Sequence, residues 1–166
     1  SYSSVVSGRP VPVAPANFRL SSYTYNTATY GWSSSYNASG YELYSATSSS
    51  GSYTLRLTVA GGSSKTGTIT GLQIEQTLYV KARAYITVGS NKYYSPYSSV
   101  VKVTPQLSTP TLRGAISQTL TSVKLTWTEV NGATGYEIYY CTTGSGTYTR
   151  LTTAGAVSST VVAATA

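Results

Sequence analysis

With 166 residues, 40% of them hydrophobic and only 9% charged, the chain is long enough for one complete core and part of a second. It has no His and no Asp, and Cys141 stands alone, which excludes a Cys–His nucleophile, an intrachain disulfide, a zinc set and an oxygen-rich calcium loop; no catalytic residue, metal site or cofactor is expected. A formal charge of +7 favours anionic partners at long range, but Arg9, Arg19, Arg56, Lys65, Lys81, Arg83, Lys92, Lys102, Arg113, Lys124 and Arg150 are scattered, so a nucleic-acid partner is not expected.

Taken in chain order, the first landmark is YSSVV at residues 2–6. The opening SYSSVVSG has neither the basic region nor the apolar core of a signal peptide, and no apolar run in the chain reaches membrane-spanning length. Pro10, Pro12 and Pro15 then mark a linker, because Pro lacks the amide proton that a central strand uses. Ala28, Tyr30 and Trp32 alternate as the inward face of a strand, and SSSYNASG at 33–40 reads as a turn. Asn37-Ala38-Ser39 fits a glycan acceptor within that turn, taken as a chance match. In GYELY from Gly40, Tyr41 and Leu43 fall on one face and Glu42 and Tyr44 on the other. Turn clusters follow at 48–52 and 60–64. The clearest strand is LYVKARAY at 78–85, where Leu78, Val80, Ala82 and Ala84 alternate with Tyr79, Lys81, Arg83 and Tyr85. A turn at VGSN, 88–91, leads into the Tyr-rich stretch of Tyr93, Tyr94 and Tyr97. Pro105 and Pro110 mark a second linker, after which VKLTW at 123–127 and GYEIYY from Gly135 repeat the earlier strands.

This repetition has a period. GYELYSATSSSGSYTLRLTVAG from Gly40 returns as GYEIYYCTTGSGTYTRLTTAG from Gly135, Trp32 returns as Trp127, and the YSSVV of residues 2–6 returns at 97–101, each 95 positions on. Residues 1–8 are therefore expected to be the last strand of a preceding module, 9–105 a complete module, and 106–166 a partial module without its last two strands. Strand-forming composition, regular turn signals and no capped helical stripe predict an all-β, Greek-key antiparallel β-sandwich in tandem repeats. The expected core comprises Trp32, Tyr41, Leu43, Leu72, Leu78, Val80, Trp127, Tyr136 and Ile138.

The order Trp32, GYELY, SGSYT from Ser50, Gly71-Leu72, YVKARAY from Tyr79 and YSPYSSVV from Tyr94 resembles fibronectin type III modules of secreted and wall-attached bacterial proteins. The resemblance covers essentially the whole chain, and it implies the immunoglobulin-like sandwich together with an extracellular, cell-surface or virion setting. Many such modules place a Pro two residues after the Leu that precedes the penultimate strand and a buried Tyr four residues later; here those positions hold Ile74 and Leu78, so apolar packing is expected to replace the corner hydrogen bond. The chain has no Arg-Gly-Asp tripeptide.

Because such modules serve several tasks, the resemblance fixes no ligand. The leading expectation is a non-catalytic structural or spacer repeat whose partners are neighbouring repeats of the same protein, with strand complementation between chains as a route to assembly. The alternatives are an adhesive or carbohydrate-binding module, recognising a glycan or a surface protein, and an accessory region of a secreted hydrolase. The candidate surface is Tyr44, Tyr79, Lys81, Arg83, Tyr85, Tyr93, Tyr94 and Tyr97; the competing role for these rings is to shield the sheet and pair with Lys81 and Arg83. Cys141 is expected to be structural or incidental.

Overall fold

The computed structural model describes residues 11–163, and the strand expected at residues 1–8 lies outside them. All regular structure among the described residues is β, and none of it is a helix able to cross a membrane. The chain divides into two units, Ser1–Gln106 and Leu107–Ala166. In the first unit the strands are β1 (Ala16–Tyr23), β2 (Ala28–Ser33), β3 (Gly40–Ala46), β4 (Thr54–Ala60), β5 (Thr66–Ile69), β6 (Leu78–Val88), β7 (Asn91–Tyr94) and β8 (Val101–Val103). The second holds β9 (Leu112–Thr119), β10 (Ser122–Trp127), β11 (Gly135–Tyr140), β12 (Thr149–Gly155) and β13 (Ser159–Ala163).

In the first unit a sheet of order β1-β2-β5 faces one of order β4-β3-β6-β7, with β8 also paired to β6. Every pairing is antiparallel. Period-two alternation puts Leu78, Val80, Ala82 and Ala84 of β6 inside with Tyr41 and Leu43 of β3, against Tyr30 and Trp32 of β2. The Trp32 and Tyr41 rings meet at 5.1 Å, and Phe18 stacks on Tyr30 at 5.3 Å. Burying side chains of this size contributes about 1.5–3 kcal/mol each, which makes this interface the main source of the unit's stability. The Tyr30 hydroxyl is buried within it and has no hydrogen-bond partner.

The corner before β6 is held without a tyrosine. Gly71 and Glu75 adopt positive φ, 67° and 62°. The Leu72 amide donates to the Asn26 carbonyl at 2.9 Å and that of Glu75 to the Pro105 carbonyl at 2.8 Å. Leu72 and Leu78 are buried, while Ile74 points outward.

The second unit repeats this construction in detail. Its sheets are β13-β10-β9 and β11-β12. Trp127 and Tyr136 meet at 5.2 Å, as Trp32 and Tyr41 do. Tyr136 Oη accepts from the Val130 amide at 2.8 Å just as Tyr41 Oη accepts from Ser35 at 2.7 Å. Asn37 and Gly132 occupy the same place in the turn, and both have positive φ, 58° and 88°. Asn is among the side chains that best tolerate this conformation, which gives Asn37 a structural reason to be there. The bulge between Leu43 and Tyr44 recurs between Ile138 and Tyr139. Strand pairing thus holds the 95-residue offset from Gly40 and Ala60 to Gly135 and Gly155. It then shortens by two residues, because Val162 stands opposite Val123 where Ile69 stands opposite Ala28. Trp127 is buried, and Tyr136 and Ile138 are half-buried.

Candidate functional site

The outward face of the β4-β3-β6-β7 sheet carries the most concentrated set of polar and aromatic side chains described. Alternation along β6 turns Lys81 and Arg83 outward, and β3 places Glu42 opposite Arg83 and Tyr44 opposite Lys81. On the far side, β7 supplies Lys92 and Tyr94, and the segment after it supplies Tyr97.

That segment is positioned by serines. Pro96 interrupts regular pairing, and side-chain oxygens replace the missing ladder acceptors: Ser95 Oγ accepts from the Ala84 amide at 2.9 Å and Ser98 Oγ from the Ala82 amide at 3.0 Å. The Ser95 and Ser98 amides donate back to the carbonyls of Ala84 and Ala82 at 2.9 and 2.7 Å. The chain therefore stays alongside β6 while Tyr94 and Tyr97 lie over its cations.

The result is an interleaved stack. Lys81 Nζ lies 4.0 Å from the Tyr53 ring centre and 4.1 Å from that of Tyr97. The Arg83 guanidinium lies 3.5 Å over Tyr94 and 4.9 Å from Tyr44, while Lys92 Nζ is 4.1 Å over Tyr85. Tyr44 and Tyr97 meet edge to face at 5.6 Å. Such contacts contribute about 0.5–2 kcal/mol each, more as they are desolvated.

Glu42 is the hub. Its side chain is 4% exposed and accepts from Arg83 Nη2 at 2.9 Å, Lys92 Nζ at 3.1 Å and Tyr44 Oη at 2.7 Å. Burial would push the carboxyl up, but hydrogen bonds from Tyr44, Arg83 and Lys92 and the charge of Arg83 outweigh it and hold Glu42 below the ordinary carboxylate range. Burial, and then the hydrogen bond to Glu42, push Tyr44 up to about 12. Arg83 and Lys92 share one buried carboxylate, and with Lys81 they leave this face with two net positive charges, spread over ring faces.

Of the residues expected to form a surface, Tyr44, Lys81, Arg83, Tyr94 and Tyr97 come together. Tyr79, half-buried opposite Ala46 and Lys102, makes no hydrogen bond or ring contact with them. Tyr93 is half-buried on the alternate face of β7. Tyr85 departs from the expected exposed position: it is only 7% exposed, because its ring lies across Gly40, where a Cβ would collide with it, and beside Tyr94. Glu42, Tyr53, Lys92, Ser95 and Ser98 were not among the expected site residues. The signal for Glu42 was its shared face with Tyr44; the serines could be found only from the strand beside them.

A three-stranded and a five-stranded antiparallel sheet, with β3 and β6 central in the second and β7 and β8 both paired to β6, decide the architecture. The fold is that of a fibronectin type III sandwich. Solved structures similar to it include a β-1,2-glucanase from Parabacteroides distasonis, at 17% identity over 60% of this chain and 14% of that one, with a TM-score of 0.50. Others are the FN1-FN3 domains of chicken CNTN1, at 18% identity, 92% and 55% coverage and a TM-score of 0.47, and the central fibronectin-III array of RIM-binding protein, at 15%, 93% and 57%, and 0.44. This chain spans about half the length of each of the latter two. No family model and no curated protein matches the sequence.

The second fibronectin type III-like unit carries the start of the same face. Tyr139 Oη donates to Glu137 at 2.9 Å, as Tyr44 does to Glu42, but Glu137 is 54% exposed and its cation is Arg150 of β12 at 3.1 Å. Cys141, half-buried in the turn after β11, donates its thiol to the Thr143 carbonyl.

Proposed function

We propose that the chain is a non-catalytic structural repeat, a spacer within a secreted or surface-exposed bacterial or phage array. The observation that carries this reading is the self-satisfaction of the candidate face: Glu42, Lys81, Arg83 and Lys92 are each engaged by neighbouring side chains of the same sheet. A glycan or protein site presents donors and ring faces to its ligand, whereas here most ring faces are turned onto cations. Interleaving of this kind stiffens the sheet, which suits a module that holds distance and bears load. Its partners are then neighbouring repeats.

A glycan array probed with the chain tests this. The spacer reading expects no glycan retained at millimolar concentration; saturable binding that is lost in Tyr97→Ala would replace it with the adhesive reading. One finding favours a second reading, an accessory region of a hydrolase: the likeness to a segment making up 14% of a β-1,2-glucanase. Affinity electrophoresis in β-1,2-glucan separates the two, since retardation would favour the accessory role and unchanged mobility the spacer.

A further inference from the structure

β4 is the outer strand of the first unit's larger sheet, and among the described residues it pairs with β3 alone. Its other side presents backbone amides and carbonyls on which a further strand can pair. The strand TLRLTVA suits such pairing, because it is rich in apolar and β-branched residues and holds neither Pro nor a carboxylate. Its one charged residue is Arg56.

The strand is also complementary to itself. An antiparallel copy centred on Thr58 sets Thr58 against Thr58, Leu57 against Val59 and Arg56 against Ala60, with no like charges opposed. Leu57 and Val59 both pack on the core, so the faces of the two sheets match across the two-fold. These side chains already rest on Gly67 of β5, where an added Cβ would come within 2.9 and 3.0 Å of them. What a second copy would take up is therefore the backbone edge.

Arg56 stands in the way of that contact. The register shift opposite Leu43 and Tyr44 makes it the extra residue of a bulge, and a bulge breaks the regularity that an added strand needs. Its exposed side chain crosses the margin of the sandwich, where Nη2 donates to the Thr70 carbonyl at 3.3 Å, just past the end of β5. Pairing would break this bond, disturb the bulge and lay a hydrated guanidinium against the second copy's Ala60. We propose that Arg56 guards the β4 edge, and that its removal opens a latent interface with a second copy of this chain. The repeat bears on this directly. At an offset of 95 positions Leu151 of β12 replaces Arg56, while Thr152 and Ala154 replace Leu57 and Val59. The guard stands on the edge that has the large apolar pair and is missing from the edge that lacks it. The inference goes beyond the spacer reading and does not depend on it.

The test follows the full chain by light scattering over a concentration series, with amide exchange read along β4. The native chain should keep the mass of a monomer. Arg56→Ala should double that mass as concentration rises, with slowed exchange along β4, and because Arg56 is exposed the variant keeps its fold. Adding Thr58→Lys to Arg56→Ala should restore the monomer, since it opposes two ammonium groups across the two-fold. A monomeric Arg56→Ala with unchanged exchange would overturn the proposal, as would a native dimer that protects β4. Association that persists in the double variant would place the contact elsewhere and overturn it too. None of these outcomes alters what the glycan array decides about the spacer reading.

Discussion

Glu42 and Glu137 are the same residue at the same strand position, and their surroundings set different consequences. Removing the charge of Glu42 leaves Arg83, 20% exposed, and Lys92, 37% exposed, facing each other over a buried amide. Because both cations can partly rehydrate, Glu42→Gln should cost about 2 kcal/mol, below the range for fully buried pairs. Glu137→Gln should leave the denaturant midpoint unchanged within error. Equal losses in the two variants would show that the repeat position, rather than burial, sets the value. The depressed carboxyl of Glu42 also sets an acid limit. Its contribution is present above the unfolded value of about 4.3 and is lost as pH falls through the lower folded value, so stability should decline in that window and Glu42→Gln should flatten the decline. A third residue carries the opposite sign. The Tyr30 hydroxyl is buried without a partner, and an unpaired hydroxyl costs about 1–3 kcal/mol to bury, so Tyr30→Phe should be neutral or stabilising in urea unfolding. A loss above about 1 kcal/mol would mean that the hydroxyl is bonded in solution.

At the scale of an element, the segment from Tyr94 to Val101 keeps its place beside β6 through hydroxyl groups. Ser95→Ala and Ser98→Ala each leave a strand amide without its acceptor, at about 1–2 kcal/mol, more for the buried Ser95. Both should also release Tyr97, so amide exchange at Ala82 and Ala84 should accelerate together with increased nitration of Tyr97. Unchanged exchange would show that β7 and β8 alone hold the segment. The corner before β6 offers a second element-level test. Glu75 sits at φ 62° with its amide tied to Pro105, a conformation glycine adopts freely. Glu75→Gly should therefore raise the thermal midpoint or leave it unchanged, despite the greater chain entropy of glycine in the unfolded state.

Over the whole molecule, the two units share a plan but differ in how completely their inner faces are covered. Trp32, Tyr41 and Leu43 are all buried, whereas of Trp127, Tyr136 and Ile138 only Trp127 is. Stability follows buried apolar area, so the second unit should unfold first. In Trp32→Phe the remaining fluorescence of Trp127 should report a lower urea midpoint than Trp32 reports in Trp127→Phe. Coincident midpoints would show one cooperative unit.

Much of this was legible in the sequence, because strand faces follow from period-two alternation and a repeat compares the chain with itself. Leu78, Val80, Ala82 and Ala84 lie inside as their spacing requires, and the turns fall at the glycine and serine clusters. Lys81, Arg83, Tyr44, Tyr94 and Tyr97 could be named as neighbours on one face. What the alternation could not give was depth. Whether an outward residue is wet depends on what the adjacent strand lays over it, and that is a property of pairing at a distance of 40 residues or more, as between Glu42 and Arg83 or Lys92. For the same reason Tyr85 is buried across Gly40 although its position in β6 is an outward one. The sequence determined the strands, their faces and the repeat; only the tertiary structure decided that Glu42 is a buried hub and Glu137 an exposed one, because desolvation is set by neighbouring strands rather than by the residue itself.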